Sequence, residues 1–291
     1  IYIVMTHIGT AFITAAFLIM FKYAHSFDFI ALKQACGTIP AGTRNIIFLC
    51  LLVGFGTKAG IVPMHIWLPY AHPQAPSHVS AIMSGVMIKT AIYGLIRFVI
   101  IILGINTFWW GNLVLILASV SCLVGVMNAL MEHDLKRLLA CHSVENIGII
   151  LLGIGASMVF TFLGMPLLAV LAMTAGLYHL INHAIFKSLL FMCAGSVYKA
   201  TGSRNMEKLG GLIKTMPWTA AAFLAGAMAI SALPPLNGFI SEWLTLQALF
   251  SGSLFGSSST RILMSIYAAV RALTGGLAAA GFVNACGVTF L

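Results

Sequence analysis

The chain has 291 residues, of which 60% are hydrophobic and only 7% are charged, and its formal net charge is +9. A soluble domain carries roughly 25% charged residues, so this composition excludes a soluble globular surface. Many of the cations lie inside or beside apolar segments, which argues against nucleic-acid binding and favours lysines and arginines that flank membrane spans. The composition therefore predicts an integral membrane protein.

The apolar segments predict an all-α, polytopic transmembrane bundle. A transmembrane helix needs about 20 mainly apolar residues, and by this rule the sequence contains about eight spans. In chain order they cover residues 1–21, 44–69, 78–104, 109–131, 137–158, 166–199, 217–250 and 261–285. Because Ile1 opens directly into a span and GVTFL ends without a polar tail, we expect further regions before Ile1 and after Leu291.

The second and seventh predicted spans contain helix-breaking residues. In GFGTKAGIVP, glycines and Pro63 surround Lys58, and in ALPPLNGF, Pro234 and Pro235 come shortly before Glu242. Proline removes a backbone donor and clashes with the preceding turn, so both spans are predicted to be discontinuous helices. Paired broken helices are typical of transporters built from inverted repeats, although the sequence itself shows no repeat identity.

Eight ionisable residues lie far from the ends of the predicted spans. A charged side chain at the bilayer centre costs about 2.5 kcal/mol or more, so we expect these residues to face one another or water and to be functional. They are Lys58, Lys89, Glu145, His179, His183, Lys187, Glu242 and Arg271.

The stretch HLINHAIFKSLLF carries the clearest polar stripe. Its residues His179, His183 and Lys187 are spaced by four, so they share one helix face over a rise of about 12 Å. Lys89, Tyr93 and Arg97 have the same spacing on the third predicted span. Burial disfavours the charged form of a lysine and a nearby carboxylate favours it, so a buried lysine can exchange a proton when a partner charge moves. The stripes predict a proton relay.

Structural interpretations of these residues stay open at this point. His179 and His183 can form a hydrogen-bonded pair, and Lys187 can extend its ammonium towards the membrane surface. Glu242 can cap the second part of a broken helix, since carboxylates favour helix N-termini. For Glu145, a structural and a functional role are equally compatible with the sequence.

The sequence predicts neither a metal nor a cofactor. HLINH lacks the glutamate of the HExxH zinc-protease motif, and none of the six cysteines forms a close pair. The run YAHPQAPSH is expected to place His72 and His78 in an exposed loop and the start of a helix.

Four ordered segments, which together span nearly the whole chain, resemble the antiporter-like proton-translocating subunits. Relatives of this kind occur in respiratory complex I, in multisubunit cation/proton antiporters and in membrane-bound hydrogenases. The segments are GFGTKAGIVPMHIWLPYAHPQAPSHVSAIMSGVMIKTAIYG, DLKRLLACHSVENIGIILLG, HLINHAIFKSLLF and LPPLNGFISEW. The runs VENIGIILLG and LPPLNGFISEW are most similar to the large membrane subunit of formate hydrogenlyase-type, energy-conserving hydrogenases.

The resemblance implies an inverted-repeat antiporter-like fold. Residues 1–104 would be the end of the first half-repeat and residues 105–291 the second half-repeat. By likeness to the family motifs, the proton pathway would contain Lys58, Lys89, His179, His183, Lys187 and Glu242. Secondary candidates are Glu145, Lys136, Tyr93 and His65.

The resemblance also implies a function in a prokaryotic cytoplasmic membrane. The chain would relay protons without redox chemistry or a cofactor of its own, and other membrane subunits with a peripheral hydrogenase or redox arm would supply the energy. One alternative is a subunit of a multisubunit sodium/proton antiporter. Another is a transport-inactive membrane anchor, because the family glutamate that pairs with the Lys58 position would lie before Ile1. Asn284, where relatives commonly carry a lysine, and Arg271 depart from the family pattern.

Overall fold

The computed structural model describes residues 1–291, and it is a bundle of α-helices without β-strands. The main helices are α1 (Tyr2–Ala24), α2 (Phe29–Ala35), α3 (Ala41–Ala59), α4 (Trp67–Gln74), α5 (Ser77–Leu103), α6 (Phe108–Leu130), α7 (Leu135–Phe162), α8 (Pro166–Thr201), α9 (Pro217–Ile230), α10 (Asn237–Phe255) and α11 (Ser258–Phe290). This architecture confirms the predicted all-helical membrane fold.

Six of these helices are long and apolar enough to cross a membrane: α1, α5, α6, α7, α8 and α11. Helix α5 contains two π-helical stretches, at Met83–Met87 and Ile96–Leu103. The other two predicted spans, 44–69 and 217–250, are the ones that the sequence predicts to be broken. The division into half-repeats at residues 104 and 105 stays a prediction.

Both predicted breaks are present. Helix α3 ends at Ala59 and is capped by Gly60, whose φ of 81° is easily adopted only by glycine. Helix α4 begins after an irregular turn that contains Pro63. Helix α9 ends before Ser231, and α10 begins at Asn237, after Pro234 and Pro235. Each break therefore follows from the residues that cannot continue a helix.

Helix α7 is the central element of the bundle. The side chain of Asp134 caps its N-terminus by accepting hydrogen bonds from the backbone N–H groups of Lys136 (2.9 Å) and Arg137 (3.1 Å). Nearly every residue from Leu135 to Phe160 is buried, and α7 contacts α4, α6, α8, α10 and α11. Protein therefore encloses α7 on all sides, whereas the other long helices also have exposed apolar faces.

Glycine allows α7 to approach its neighbours closely. A Cβ atom on Gly148 would lie 2.6 Å from the carbonyl oxygen of Ala118 in α6. One on Gly153 would lie 2.8 Å from the Cα atom of Gly176 in α8. The three helices thus touch backbone to backbone, which places the polar side chains of α7 and α8 next to each other.

Candidate functional site

The stripe on α8 faces the interior of the bundle. The side chains of His179, His183 and Lys187 are each 0% exposed, whereas Ile181 and Ile185 on the opposite face are more than half exposed. Helix α8 therefore turns its polar face to protein and its apolar face outwards, as a membrane helix with internal polar residues must. The predicted common face of the three residues is confirmed.

Lys187 reaches from α8 to α7. Its Nζ donates a hydrogen bond to the carbonyl oxygen of Leu139 at 2.7 Å. This contact lies deep in the protein, so Lys187 does not extend to the membrane surface. The His183 ring lies next on the same face, 6.4 Å from the His179 ring, and neither His183 nitrogen has a protein hydrogen-bond partner.

His179 connects three helices through both of its ring nitrogens. Its Nδ1 lies 2.9 Å from Ser241 Oγ in α10, and its Nε2 lies 3.1 Å from Asn146 Oδ1 in α7. Asn146 Nδ2 donates to the carbonyl oxygen of His142 (2.8 Å), so Oδ1 is the free acceptor and Nε2 carries the proton. Nδ1 then accepts from the Ser241 hydroxyl when the ring is neutral. A change of protonation at His179 thus requires Ser241 to turn its hydroxyl hydrogen away.

The start of α10 is fixed to α8 by two asparagines. Asn182 Nδ2 donates to the carbonyl oxygen of Asn237 (2.9 Å), and Asn237 Nδ2 donates in return to Asn182 Oδ1 (3.0 Å). Asn182 thus adds a side-chain donor to a carbonyl oxygen in the first turn of α10 and ties the two helices together. These contacts place Ser241 beside His179 and the following residue, Glu242, at the inner side of α10.

Glu242 forms a buried ion pair with Arg271. The two side chains meet between α10 and α11, where Glu242 is 5% and Arg271 is 2% exposed. Arg271 also donates from Nη1 to Thr274 Oγ1 at 3.3 Å. Glu242 is therefore a member of an ion pair and not a cap of the broken helix, which has no side-chain cap. Arg271, which was among the eight ionisable residues expected inside the spans, is its counter-ion.

Glu145 is paired with a residue that the sequence analysis did not single out. His142 Nδ1 and Glu145 Oε2 are 2.6 Å apart, and both side chains are at most 1% exposed. The signal was available, because histidine and glutamate three residues apart share a helix face inside a predicted span. The His142 ring stacks on Phe282 of α11, and its Nε2 has no hydrogen-bond partner.

Lys89 joins the same interior from α5. Its side chain is 6% exposed, and its Nζ donates to the carbonyl oxygen of Ser84. The hydroxyl of Ser84 lies 2.8 Å from that of Ser143, which links α5 to α7. Helices α5, α7, α8 and α10 therefore all contribute buried polar or ionisable side chains to the interior of the bundle.

The other predicted residues lie at the edges of this group or outside it. Lys58 is half-buried in the last turn of α3, and His65 is half-buried in the break that follows. Lys136 is 3% exposed and donates from Nζ to the carbonyl oxygen of Ala75 at 2.9 Å. Tyr93 is 61% exposed. It therefore does not share the interior with Lys89, contrary to the predicted stripe.

The expectation that His72 lies in an exposed loop is wrong, whereas His78 is exposed in the first turn of α5 as expected. His72 lies in α4, is 0% exposed and stacks on Phe191 of α8 at 4.8 Å. Neither of its ring nitrogens has a hydrogen-bond partner. His, Cys, Asp and Glu side chains nowhere come together in the groups of three or more that would hold a metal ion.

Comparison with known proteins identifies the fold and the family. The family described as NADH:quinone oxidoreductase/Mrp antiporter, TM matches residues 1–266. Hydrogenase-4 component B of Escherichia coli is 47% identical over 292 aligned positions, which cover 100% of this chain and 43% of the relative. Formate hydrogenlyase subunit 3 of the same organism is 41% identical and is matched over 100% of this chain and 47% of its own length.

A solved structure gives the same result. Respiratory complex I from Thermus thermophilus contains a chain that matches with a TM-score of 0.83 and 26% identity, over 99% of this chain and 57% of that one. The chain thus spans about half the length of the relatives that it matches. These relatives are subunits of multisubunit membrane complexes, and this chain is a membrane-embedded, antiporter-like protein. It belongs to the NADH:quinone oxidoreductase/Mrp antiporter, TM family.

Proposed function

We propose that this chain relays protons within an energy-conserving hydrogenase or related respiratory membrane complex. The observation that carries the proposal is the burial of several ionisable side chains in one helical bundle, namely Lys89, His179, His183, Lys187 and Glu242. A group of this kind is expensive to bury in a membrane protein, and its usual use there is to move protons or ions.

The relay works through the mutual influence of neighbouring charges. Lys89 of α5, Glu145 of α7 and Lys187 of α8 are all buried, so little water screens the charges that they carry. A positive charge on Lys89 disfavours the charged form of Lys187, and a negative charge on Glu145 favours it. Displacing one charge therefore changes the proton occupancy of the next residue, and the group titrates as a coupled unit.

His183 and His179 provide the proton carriers between the lysines and Glu242. The two nitrogens of His183 have no protein partner and are free to bind water. The hydroxyl of Ser241 serves as donor to neutral His179 and as acceptor from its protonated form. Redox chemistry is assigned to partner subunits, with a peripheral hydrogenase or other redox arm supplying the energy.

The proposal is tested with the full-length protein in its native complex, in inverted membrane vesicles. A pH-sensitive dye reports proton uptake while the complex turns over, and Lys89→Ala is compared with the unchanged protein. We expect Lys89→Ala to abolish proton uptake while the complex still assembles and its redox reaction continues. Undiminished proton uptake in this variant would refute the relay.

A sodium/proton antiporter subunit is the second candidate, because the matching family includes the Mrp antiporters. If the chain is an antiporter subunit, the pH inside vesicles without any redox substrate should change when a sodium gradient is imposed. The hydrogenase proposal predicts proton movement only during turnover and no dependence on sodium. A third candidate, the inactive membrane anchor, predicts no ion movement that depends on Lys89 under either condition.

A further inference from the structure

A cavity of about 550 Å³ opens at the end of the bundle where α4 and α8 end and where α5 and α7 begin. The side chains of Lys136, Lys199 and Arg204 line it, and no carboxylate is among the lining residues. Ser77 adds a hydroxyl group. The cavity thus combines a positive potential with hydrogen-bond donors, and together these attract anions.

Lys136 carries a buried charge that no carboxylate of the chain balances. It is only 3% exposed, and it takes part in none of the ion pairs of the structure. Arg204, by contrast, pairs with Asp134, whose Oδ2 lies 3.3 Å from Nε. Lys199 is exposed, so water screens its charge. A buried charge without a partner is strongly destabilising, which favours an anion beside the Lys136 ammonium.

Backbone carbonyl oxygens hold Lys136 and Arg204 in place. Lys136 Nζ donates to the carbonyl oxygen of Ala75 at 2.9 Å, and Arg204 Nη1 donates to that of Pro73. An ammonium has three donors, so two on Lys136 remain for a ligand, and Nη2 of Arg204 also remains free. Fixed cationic donors of this kind form charge-assisted hydrogen bonds with oxyanions such as phosphate.

The cavity lies at the level of the lipid head groups. It is next to the last turn of α8, a helix that is long and apolar enough to cross the membrane. Tyr198 in that turn is 46% exposed, and the Arg204 guanidinium lies over its ring, with 5.6 Å from Cζ to the ring centre. Tyrosine is enriched at membrane–water interfaces, and basic pockets between membrane helices bind the head groups of lipids there.

An apolar strip on α8 connects the cavity with the membrane interior. Ile185 and Met192 are seven residues apart, so they lie on one face of α8, and the next position in this spacing is Lys199 at the cavity. Ile185 is 62% and Met192 is 52% exposed. A phospholipid can therefore place its acyl chains against this strip while its phosphate enters the cavity. A free phosphate ion gains nothing from the strip.

We propose that this cavity binds the phosphate group of an anionic phospholipid through Lys136 and Arg204, with the acyl chains along the outward face of α8. Three cations and no carboxylate line the cavity, so it repels the amine of a zwitterionic head group. The bound phosphate supplies the counter-charge of Lys136 and ties the turn between α4 and α5 to the ends of α7 and α8. Lys136 thereby has a role outside the proton pathway, and the inference does not depend on the relay.

The test uses the full-length protein in its complex, purified in a neutral detergent. Phosphatidylglycerol, or phosphatidylcholine with the same acyl chains, is added, and native mass spectrometry counts the phospholipids that stay bound to this subunit when the complex dissociates. We expect the subunit to bind phosphatidylglycerol about tenfold more tightly than phosphatidylcholine. A large molar excess of inorganic phosphate should leave the phosphatidylglycerol bound, because the ion has no acyl chains.

Two substitutions each remove one of the proposed phosphate contacts. We expect Lys136→Met and Arg204→Gln each to weaken the binding of phosphatidylglycerol by about tenfold, the loss expected for one charge-assisted hydrogen bond. Lys136→Arg should restore most of the binding, because it keeps a cation at this position. Arg137→Gln is the matched control and should bind like the unchanged protein. Arg137 also pairs with a carboxylate at this end of the bundle, that of Glu132 at 3.1 Å, but it does not line the cavity.

Several results would overturn the proposal, and none of them depends on proton uptake. Equal affinities for the two phospholipids, or unaltered binding in both Lys136→Met and Arg204→Gln, would show that the cavity is not a lipid site. Displacement by inorganic phosphate would show that it takes a free anion instead. If the assembled complex retains no phosphatidylglycerol, a partner subunit covers the cavity. Arg204 is only half-buried, so Arg204→Gln alone decides the matter if Lys136→Met fails to assemble.

Discussion

The substitution Lys187→Met should abolish the proposed proton transport while changing the stability of the bundle little. Lys187 is completely buried and makes one hydrogen bond, to the carbonyl oxygen of Leu139. Methionine has a similar length and shape but no charge. The hydroxyl of Ser143, 3.1 Å from the same carbonyl oxygen, remains as its side-chain partner in the variant.

Two opposing contributions set the expected change in stability. Loss of a hydrogen bond from a charged donor costs about 1.5–3 kcal/mol. Replacing a buried charged group by an apolar one of similar volume is often neutral or stabilising by about 1–4 kcal/mol. The two contributions nearly cancel, so we expect the free energy of unfolding to change by less than about 2 kcal/mol. Proton transport, by contrast, should fall to the level of vesicles without the protein.

The matched control is Lys199→Met, because Lys199 lies on the same helix but is exposed. Both variants are measured for assembly of the complex, for the midpoint of thermal unfolding and for dye-reported proton uptake. Lys199→Met should leave proton uptake unchanged. If Lys187→Met transports protons as well as Lys199→Met in equally assembled complexes, Lys187 is a structural residue and the proposed relay is wrong.

Three further substitutions test individual features. Tyr93→Phe should leave proton uptake unchanged in the vesicle assay, because this side chain is 61% exposed and faces away from the polar interior. His72→Phe should raise the midpoint of thermal unfolding, because a buried imidazole without hydrogen bonds is costly and phenylalanine keeps the stacking on Phe191. Gly148→Ala should destabilise the fold by about 1–3 kcal/mol, because the new methyl group meets the α6 backbone. Denaturant unfolding compares it with Gly287→Ala, a control in which no atom lies within 4 Å of the new methyl group. An equal effect of both changes would contradict the close packing.

Local sequence signals were enough to predict the helix breaks and the stripe on α8. Pro63, Pro234 and Pro235 cannot continue a helix, so the breaks depend on no distant contact. The spacing of His179, His183 and Lys187 places them together in any helix. These features required only the geometry of one segment.

Tyr93 shows where the same reasoning fails. Four residues advance a helix by about 40° beyond a full turn. The buried face of this part of α5 includes Ile88 and Ile92, and Lys89 lies at its edge. The further 40° is enough to turn Tyr93 outwards, and only the position of the neighbouring helices reveals where that edge lies.

His72 and Arg271 could not be placed for a different reason. The burial of His72 depends on α8, which supplies Phe191 from a distant part of the sequence. The partner of Arg271 is on α10, and their contact depends on how α10 and α11 pack. Both are tertiary properties, which spacing within one segment does not contain.

The enclosure of α7 limits which movements can accompany transport. Its glycines bring its backbone into contact with α6 and α8, so a sliding or rocking movement of α7 would break many close contacts at once. Side-chain rotation and water rearrangement need no such disruption. Proton transport through the interior around α7 should therefore proceed without movement of these helices. Distances between spin labels at the ends of α6, α7 and α8 should stay constant through the transport cycle.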